Sequence, residues 1–240
     1  MAYRIFHYLM SGQPEQRHFV TRYMENCYCI IMSKSILTIL FCFLASSLSA
    51  QLNKEYYKNG QLKHSGLLEN EKKSGKWEFY YPNGTREAIE YYKDDKLDGM
   101  CNHFDFDGNL IGDEMWKNGT LEDSAFYYYP SGVLEKKGTY RSGVYEGTWY
   151  FYHSTGMLKK SLVYHNGLPN GSWKYYNEKG ILLQQGKYVN GKEAGEWKFY
   201  TKKGHLHYQG SYIEGTRSGE WFIVNKRGKK KPLDYSTWEN

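Results

Sequence analysis

Two histidines, one acidic loop and one cysteine are the residues of this 240-residue chain whose types and spacing suggest chemistry. His205 and His207 stand two residues apart, so on a strand both imidazoles would share one face, a spacing that metal ions use. The sequence implies no third ligand, and such pairs are commoner as plain surface residues. The loop "DFDGN" at 105–109 suggests a calcium site, but its glycine is misplaced for one, so we interpret it as a turn. Cys101 is interpreted as a small hydrophobic residue.

Recognisable catalytic motifs do not occur in the sequence. There is no G-x-S-x-G, H-E-x-x-H or Walker pattern, and an enzyme would need a nucleophile, a base and orienting groups brought together. We therefore predict a protein that is not an enzyme, with no catalytic residue, no metal site and no cofactor.

The elements that must position any site belong to a repeat of 24 residues, seen in "GTWYFYHSTG" (147–156), "GSWKYYNEKG" (171–180) and "GEWKFYTKKG" (195–204). Cys101 and Ala125 stand at the tryptophan position of two intervening copies. A fixed period of this length is typical of a repeat array, here of about eight units from Tyr56 onward. The tryptophans of the repeat are Trp77, Trp149, Trp173, Trp197 and Trp221.

Each unit holds two aromatic-rich, strand-like segments separated by turn signals. Nothing after residue 51 has sustained helical periodicity. We predict an all-β fold, an elongated single-layer antiparallel β-meander of roughly sixteen strands built of stacked β-hairpin repeats, because a lone hairpin is marginally stable in water. Asn-Gly, a strong signal for tight hairpin turns, recurs at 59–60, 83–84, 118–119, 166–167, 170–171 and 190–191.

Side chains alternate across such a sheet, so its two faces carry different residues. The tryptophan positions are the predicted structural core. Exposed aromatic rings on the other face would suit a protein partner or the flat faces of sugar rings. The alternative, that both faces are only packed on themselves, stays open. The predicted binding stripe consists of Tyr80, Tyr128, Tyr152, Tyr176 and Tyr200.

The two ends of the chain do not follow the repeat. Residues 1–31 are interpreted as a wrongly included or disordered extension, with Met32 as the true start. Residues 32–50 are typical of a signal peptide, because a lysine precedes an apolar core too short to span a membrane and small residues precede a cut after Ala50. The alternative is an extension with no signal function. A repeat domain at 51–232 and a C-terminal tail at 233–240 follow.

The charge balance is mild. The chain carries 32 Lys and Arg against 26 Asp and Glu, and removing residues 1–50 leaves 28 against 24. This argues against a nucleic-acid partner. The basic run at 226–231 is interpreted as a solvated tail, with contact to an anionic surface as the alternative. Of the four cysteines only Cys101 lies beyond residue 50, which excludes a disulfide framework there.

The unit at 190–215, with Gly-x-Trp-x-x-Tyr followed by regularly spaced glycine, leucine, glycine and tyrosine, resembles the bacterial variant of the MORN repeat over about residues 56–228. The resemblance implies an elongated, groove-like β-meander used for binding rather than catalysis, and some relatives are antitoxins. Cell-wall choline-binding repeats are similar too, but their period is shorter. Cys101, Asp123 and Ala125 depart from the pattern, so the units at 99–146 are expected to be loosened or shaped for a partner.

The leading hypothesis is an exported, non-enzymatic repeat scaffold for protein–protein interaction. One alternative is a cell-envelope adhesion module that binds polysaccharide or anionic lipid. Another is an antitoxin or immunity-type protein, which conflicts with export unless its toxin acts outside the cytoplasm. We expect a bacterial protein in the periplasm, on the outer surface or secreted, with a protein partner, no nucleic acid and no transmembrane span.

Overall fold

The computed structural model describes residues 50–233. The predicted extension at 1–31, the predicted signal peptide except for Ala50, and the tail beyond Leu233 lie outside the described residues, so they stay predictions. Between residues 50 and 233 there is no helix long and apolar enough to cross a membrane.

Regular structure in this range consists of strands. They are β1 (Gln51–Tyr56), β2 (Leu62–Glu69), β3 (Lys72–Tyr80), β4 (Arg86–Lys93), β5 (Lys96–Leu97), β6 (Gly99–Phe104), β7 (Leu110–Lys117), β8 (Thr120–Tyr128), β9 (Leu134–Arg141), β10 (Val144–Tyr152), β11 (Leu158–His165), β12 (Leu168–Tyr176), β13 (Leu182–Val189), β14 (Lys192–Tyr200), β15 (Leu206–Ile213), β16 (Thr216–Val224) and β17 (Lys230–Leu233).

The strands pair antiparallel in chain order. Strands β5 and β6 both pair with β4, so they form one row that is interrupted at Asp98. Taken together they bring the described strands to sixteen rows, the number that the hairpin repeats predict. The result is one open sheet of stacked hairpins, which confirms the predicted single-layer antiparallel β-meander.

Two-residue turns at positive φ close the hairpin within many of the units. Asn118–Gly119 has φ values of 50° and 80°, the combination that a type I′ turn requires and that suits the twist of the strands. The Gly119 amide also donates to the Leu97 carbonyl in the preceding unit, at 2.8 Å. The prediction of a turn at Asn170–Gly171 was wrong, because the chain has already reversed at Asn166–Gly167 and the later pair lies inside β12.

Longer turns connect the hairpins, and their side chains join neighbouring units. The Tyr129 amide donates to the Val133 carbonyl within one such turn, at 2.9 Å. The Tyr129 hydroxyl then donates to the Tyr152 carbonyl of the next unit, also at 2.9 Å. These bonds hold successive turns side by side, at the ends of the strands on one side of the sheet. Tyr57 and Tyr81 make the same bond to the carbonyls of Tyr80 and Phe104.

The core lies on one face, where tryptophan rings cover glycines that precede them by eleven residues. A methyl group at Gly186 would lie 2.2 Å from a ring atom of Trp197, so only glycine leaves room for the indole. Trp173 is only half-buried, and the residue eleven before it is Leu162 instead of glycine. The same contact as Gly186–Trp197 recurs at Gly66–Trp77, Gly138–Trp149 and Gly210–Trp221, and all four of these tryptophans are at most 3% exposed.

Candidate functional site

The face that carries the tryptophans, called here the tryptophan face, is an aromatic stack in most units. The Trp197 ring meets Tyr188 and Tyr212 edge to face, with centroids 5.3 and 5.7 Å apart, an arrangement that the ring quadrupoles favour. The residues on either side of Trp197 point the other way. There Glu196 and Lys198 form an ion pair at 2.8 Å, so the opposite face of this unit is charged.

The tryptophan face changes where Cys101 and Ala125 replace tryptophan. Both are fully buried. Between them, paired with one on each side, stands Glu114, at a repeat position that holds glycine beside most tryptophans. Glu90 stands at the same position one unit earlier. A carboxylate side chain in each of these units therefore fills space that an indole ring fills elsewhere.

Glu114 is the centre of a hydrogen-bonded network in the space left by the missing rings. Its carboxylate accepts from the Tyr127 hydroxyl at 2.6 Å and from the Trp116 indole N–H at 3.1 Å, and His103 Nε2 lies 3.4 Å away. The hydrogen bond with His103 lowers the pKa of Glu114, and the same bond raises the pKa of His103. The network thus favours an ionised carboxylate beside a protonated imidazole on the tryptophan face.

A thiol lies next to this network but is not set up for nucleophilic attack. Cys101 is fully buried, and burial raises its pKa to about 11. A covered thiol with a raised pKa stays protonated, whereas the thiolate is the reactive form. Cys101, His103 and Glu114 therefore form a structural polar cluster, in agreement with the interpretation of Cys101 as a small core residue.

The other residues singled out for chemistry lie in turns or near one. Asp105 accepts the amides of Asp107 and Asn109 with its carboxylate, so the acidic loop is a turn, as predicted. His205 lies in a turn and only His207 lies in β15, so the expected shared strand face is not formed. Among residues 50–233 no group of three or more His, Cys, Asp or Glu side chains is arranged to hold a metal ion.

The five tyrosines of the predicted stripe lie at strand ends, and all are half-buried. Tyr80 donates to Glu78 at 3.3 Å and Tyr128 donates to Asp113 at 3.2 Å, which places both hydroxyls on the face opposite the tryptophans. Equivalent residues of successive units are two strands apart, roughly 9–10 Å. The rings therefore form a spaced row. Their role as a binding stripe stays a prediction.

An apolar surface that the sequence analysis did not identify lies on this opposite face, between β4 and β10. We call it the central patch. Met100 and Met115 are directly paired, and Phe126 and Tyr150 lie on either side of Lys137 in β9. The Lys137 ammonium lies 5.8 Å from the Tyr150 ring, and Asp113 is paired with Phe126, so the apolar side chains of this surface are interspersed with two charged ones. Tyr91, Met100 and Tyr150 are 38–39% exposed. Comparing repeat positions would have revealed the patch, because Met100 corresponds to Glu196 and Tyr150 to Lys198. The central patch consists of Tyr91, Met100, Met115, Phe126 and Tyr150.

Comparison with protein families identifies the repeat. The protein-family model described as "MORN repeat variant" matches residues 73–94, 124–142, 145–166, 169–190 and 194–214. These five segments are therefore MORN repeat variants. The stretch 95–123, which contains Cys101 and Glu114, is not among the matched segments. The comparison with curated proteins found no match.

Solved structures give only distant likenesses. A chain in the crystal structure of TcdB2-TccC3-Cdc42 is 14% identical with a TM-score of 0.23, and the match covers 75% of this chain but only 12% of that one. A protein with unknown function from Bacteroides fragilis is 10% identical with a TM-score of 0.11, with 78% of this chain and 91% of that chain covered.

Proposed function

We propose that this protein is an exported, non-enzymatic scaffold that holds a protein partner on the central patch. The observation that carries the proposal is the exposure of Tyr91, Met100 and Tyr150 on one face of a single-layer sheet. No second layer of the described residues covers that face. Aromatic residues and methionine are enriched in protein interfaces, so their exposure here supports an interaction site. Export rests on the signal-peptide pattern at 32–50.

Charged residues border the patch on both sides, and Asp113 and Lys137 also lie within it, beside Phe126. On the N-terminal side Lys76 and Glu78 form an ion pair at 2.9 Å, and on the C-terminal side Glu196 and Lys198 do the same. A mixture of apolar and polar side chains fits a non-obligate protein–protein interface, which as a whole is only about as apolar as the rest of a protein surface. Tyr128, from the predicted tyrosine stripe, lies at the end of β8, the strand that carries Phe126. The two surfaces that the sequence suggested, the irregular units and the stripe, therefore meet here.

The repeat itself supplies substitutions that should remove the patch without unfolding the sheet. Met100 corresponds to Glu196 and Tyr150 corresponds to Lys198, so Met100→Glu and Tyr150→Lys introduce residue types that another unit carries at the same repeat positions. Because Tyr150→Lys also places a lysine opposite Lys137, urea unfolding of the variant must show that it stays folded. Ser172 occupies the same repeat position as Met100, is exposed and lies outside the patch. Ser172→Glu is therefore a matched control for the added charge.

The test is an affinity pull-down from detergent-solubilised envelope of the native cell, with co-sedimentation on insoluble cell wall in parallel. We expect one protein to be retained in stoichiometric amount. The Met100→Glu/Tyr150→Lys variant should weaken its binding by about tenfold or more, because apolar contacts at the centre of an interface carry most of the affinity. Ser172→Glu should bind like the parent chain. Pelleting with the wall and no retained protein would instead favour the adhesion module, and equal retention by both variants would remove the central patch from the interface.

A further inference from the structure

A cavity among the described residues lies at the C-terminal end of the sheet, away from the central patch. Its volume is about 910 Å³, within the range of small-molecule sites. Leu206, Ile223 and Val224 give it apolar walls, and the turns that follow β14 and β16 form its rim. The cationic residues that line it are Lys202, Lys203, Lys226, Lys229, Lys230 and Lys231.

The last unit carries smaller side chains beside the cavity than the unit before it carries at the same repeat positions. Ile223 occupies the repeat position of Phe199, and Val224 occupies the position of Tyr200. Two aliphatic side chains therefore stand where an aromatic pair fills the preceding unit. The neighbouring strand β17 contributes Lys230 and Lys231 to the lining.

The charge of the lining is one-sided. Among residues 50–233 no Asp or Glu lines the cavity, and none of its six lysines forms an ion pair with a carboxylate of that range. Lys230 instead lies 5.8 Å from the Phe222 ring. Elsewhere in the sheet lysines have acidic partners, as in the contact of Lys192 with Glu214 at 3.0 Å. Clustered like charges repel one another, and an anion in the cavity would relieve that repulsion.

We propose that this cavity binds a small amphiphilic anion, a phosphate or carboxylate carried on an alkyl chain. The apolar walls take the chain, and lysine ammonium groups at the rim take the anionic head while their methylene stems extend the apolar wall. This site is separate from the protein interface proposed above, since it is formed by β15 to β17 and the turns beside them. Loss of either site leaves the other intact.

The test is isothermal titration of the whole protein with octyl phosphate below its micelle concentration. We expect saturable one-to-one binding that weakens as salt is added, because the lysines are exposed to solvent. Inorganic phosphate should bind at least about tenfold more weakly, since it lacks the alkyl chain that the apolar walls bury. Octyltrimethylammonium should not bind. Equal affinity for phosphate and octyl phosphate would overturn the proposal, because it would mean general attraction of anions to a basic surface.

Two variants locate the binding. Lys203→Glu places a negative charge on the rim, and its control is Lys179→Glu at the equivalent position one unit earlier, outside the cavity. We expect roughly tenfold weaker binding for Lys203→Glu and unchanged binding for the control, because only the first charge would contact the anionic head. The second variant, Ile223→Phe/Val224→Tyr, restores the aromatic pair of the preceding unit and should abolish binding. Octyl phosphate binding that survives in both variants would refute the site.

A further arm identifies the source of the ligand. Sedimentation with phosphatidylglycerol vesicles tests whether the head group is recognised in a bilayer. Vesicle binding that is lost in Lys203→Glu assigns the site to membrane lipid, and octyl phosphate binding without vesicle binding assigns it to a free amphiphile. A chain that ends at Leu233 removes the acidic residues Asp234 and Glu239. Binding seen only with that shortened chain would overturn the proposal, because the protein's own C-terminus would then be the occupant.

Discussion

Gly186→Ala is the most direct test of how the core is built. A methyl group at this position would lie 2.2 Å from one atom and 2.3 Å from another atom of the Trp197 indole. Carbon atoms in contact are normally about 3.5–4.0 Å apart, so the ring would have to retreat by more than about 1 Å. Tyr188 and Tyr212 hold the ring from both sides at centroid distances of 5.3 and 5.7 Å, so it cannot slide within its plane.

The expected cost follows from these contacts. Overpacking of this kind costs about 1–3 kcal/mol, and the cost is higher if the indole leaves its seat, because a tryptophan removed from the core costs about 3–5 kcal/mol. Alanine also restricts the conformations of the unfolded chain, which offsets about 0.4–1 kcal/mol of this destabilisation. We therefore expect Gly186→Ala to lower the free energy of unfolding by about 1–3 kcal/mol.

Gly112→Ala is the matched control, because Gly112 also lies within a strand but has ordinary surroundings. A methyl group there would be 3.6 Å from Tyr127, and the backbone φ is not positive. The Gly112→Ala substitution should leave the free energy of unfolding unchanged or raise it by up to about 1 kcal/mol. Urea unfolding followed by circular dichroism compares the two variants, and hydrogen exchange shows whether β13 and β14 open first. Equal stability of both would mean that the indole does not lie on the glycine.

Three further predictions concern the same face. Trp197→Ala should cost about 3–5 kcal/mol in urea unfolding and Trp173→Ala clearly less, because only the first ring is fully buried. Ala125→Trp and Glu114→Gly should each destabilise the chain, whereas the double variant should restore the Trp-over-Gly contact and show a favourable coupling of about 1–3 kcal/mol in a double-mutant cycle. The hydrogen bond with Glu114 raises the pKa of His103 in the folded state above its ordinary value of 6.5. The stability that the protonated imidazole contributes is therefore fully present below pH 6.5 and is lost as the pH rises through the folded-state pKa. The stability difference between the parent chain and His103→Gln should therefore shrink as the pH rises above 6.5, and a constant difference would contradict the ion pair with Glu114.

The repeat predicted the fold well because its strongest signals are local. A 24-residue period, two strand-like segments in each unit and turn dipeptides are sufficient to specify hairpins, and consecutive hairpins have few other ways to pair. The error at Asn170–Gly171 has a physical cause, since two Asn-Gly pairs stand four residues apart and only one can close the hairpin. The dipeptide alone does not tell which one does.

The candidate site could be predicted only in part, because it depends on pairs of repeat positions that lie in different strands. Each position read alone showed that Cys101 and Ala125 were unusual, but not what fills the space of the missing ring. The answer, Glu114, stands eleven residues before Ala125, a distance that matters only once the register is known. The terminal cavity was hidden for a similar reason, since Ile223 and Val224 look ordinary until they are compared with Phe199 and Tyr200.

The same two units that lose tryptophan also gain apolar residues on the other side, which links the core to the proposed function. In most units the tryptophan face is aromatic and the opposite face is polar or charged. Around Cys101 and Ala125 the tryptophan face instead carries the Glu114 network, and the opposite face carries Met100 and Phe126. A one-layer sheet has little to gain from an uncovered apolar face, so this exchange of polarity makes sense when something else covers the patch. Because repeat proteins are stabilised mainly between neighbouring units, two altered units can be tolerated in the middle of an otherwise regular array.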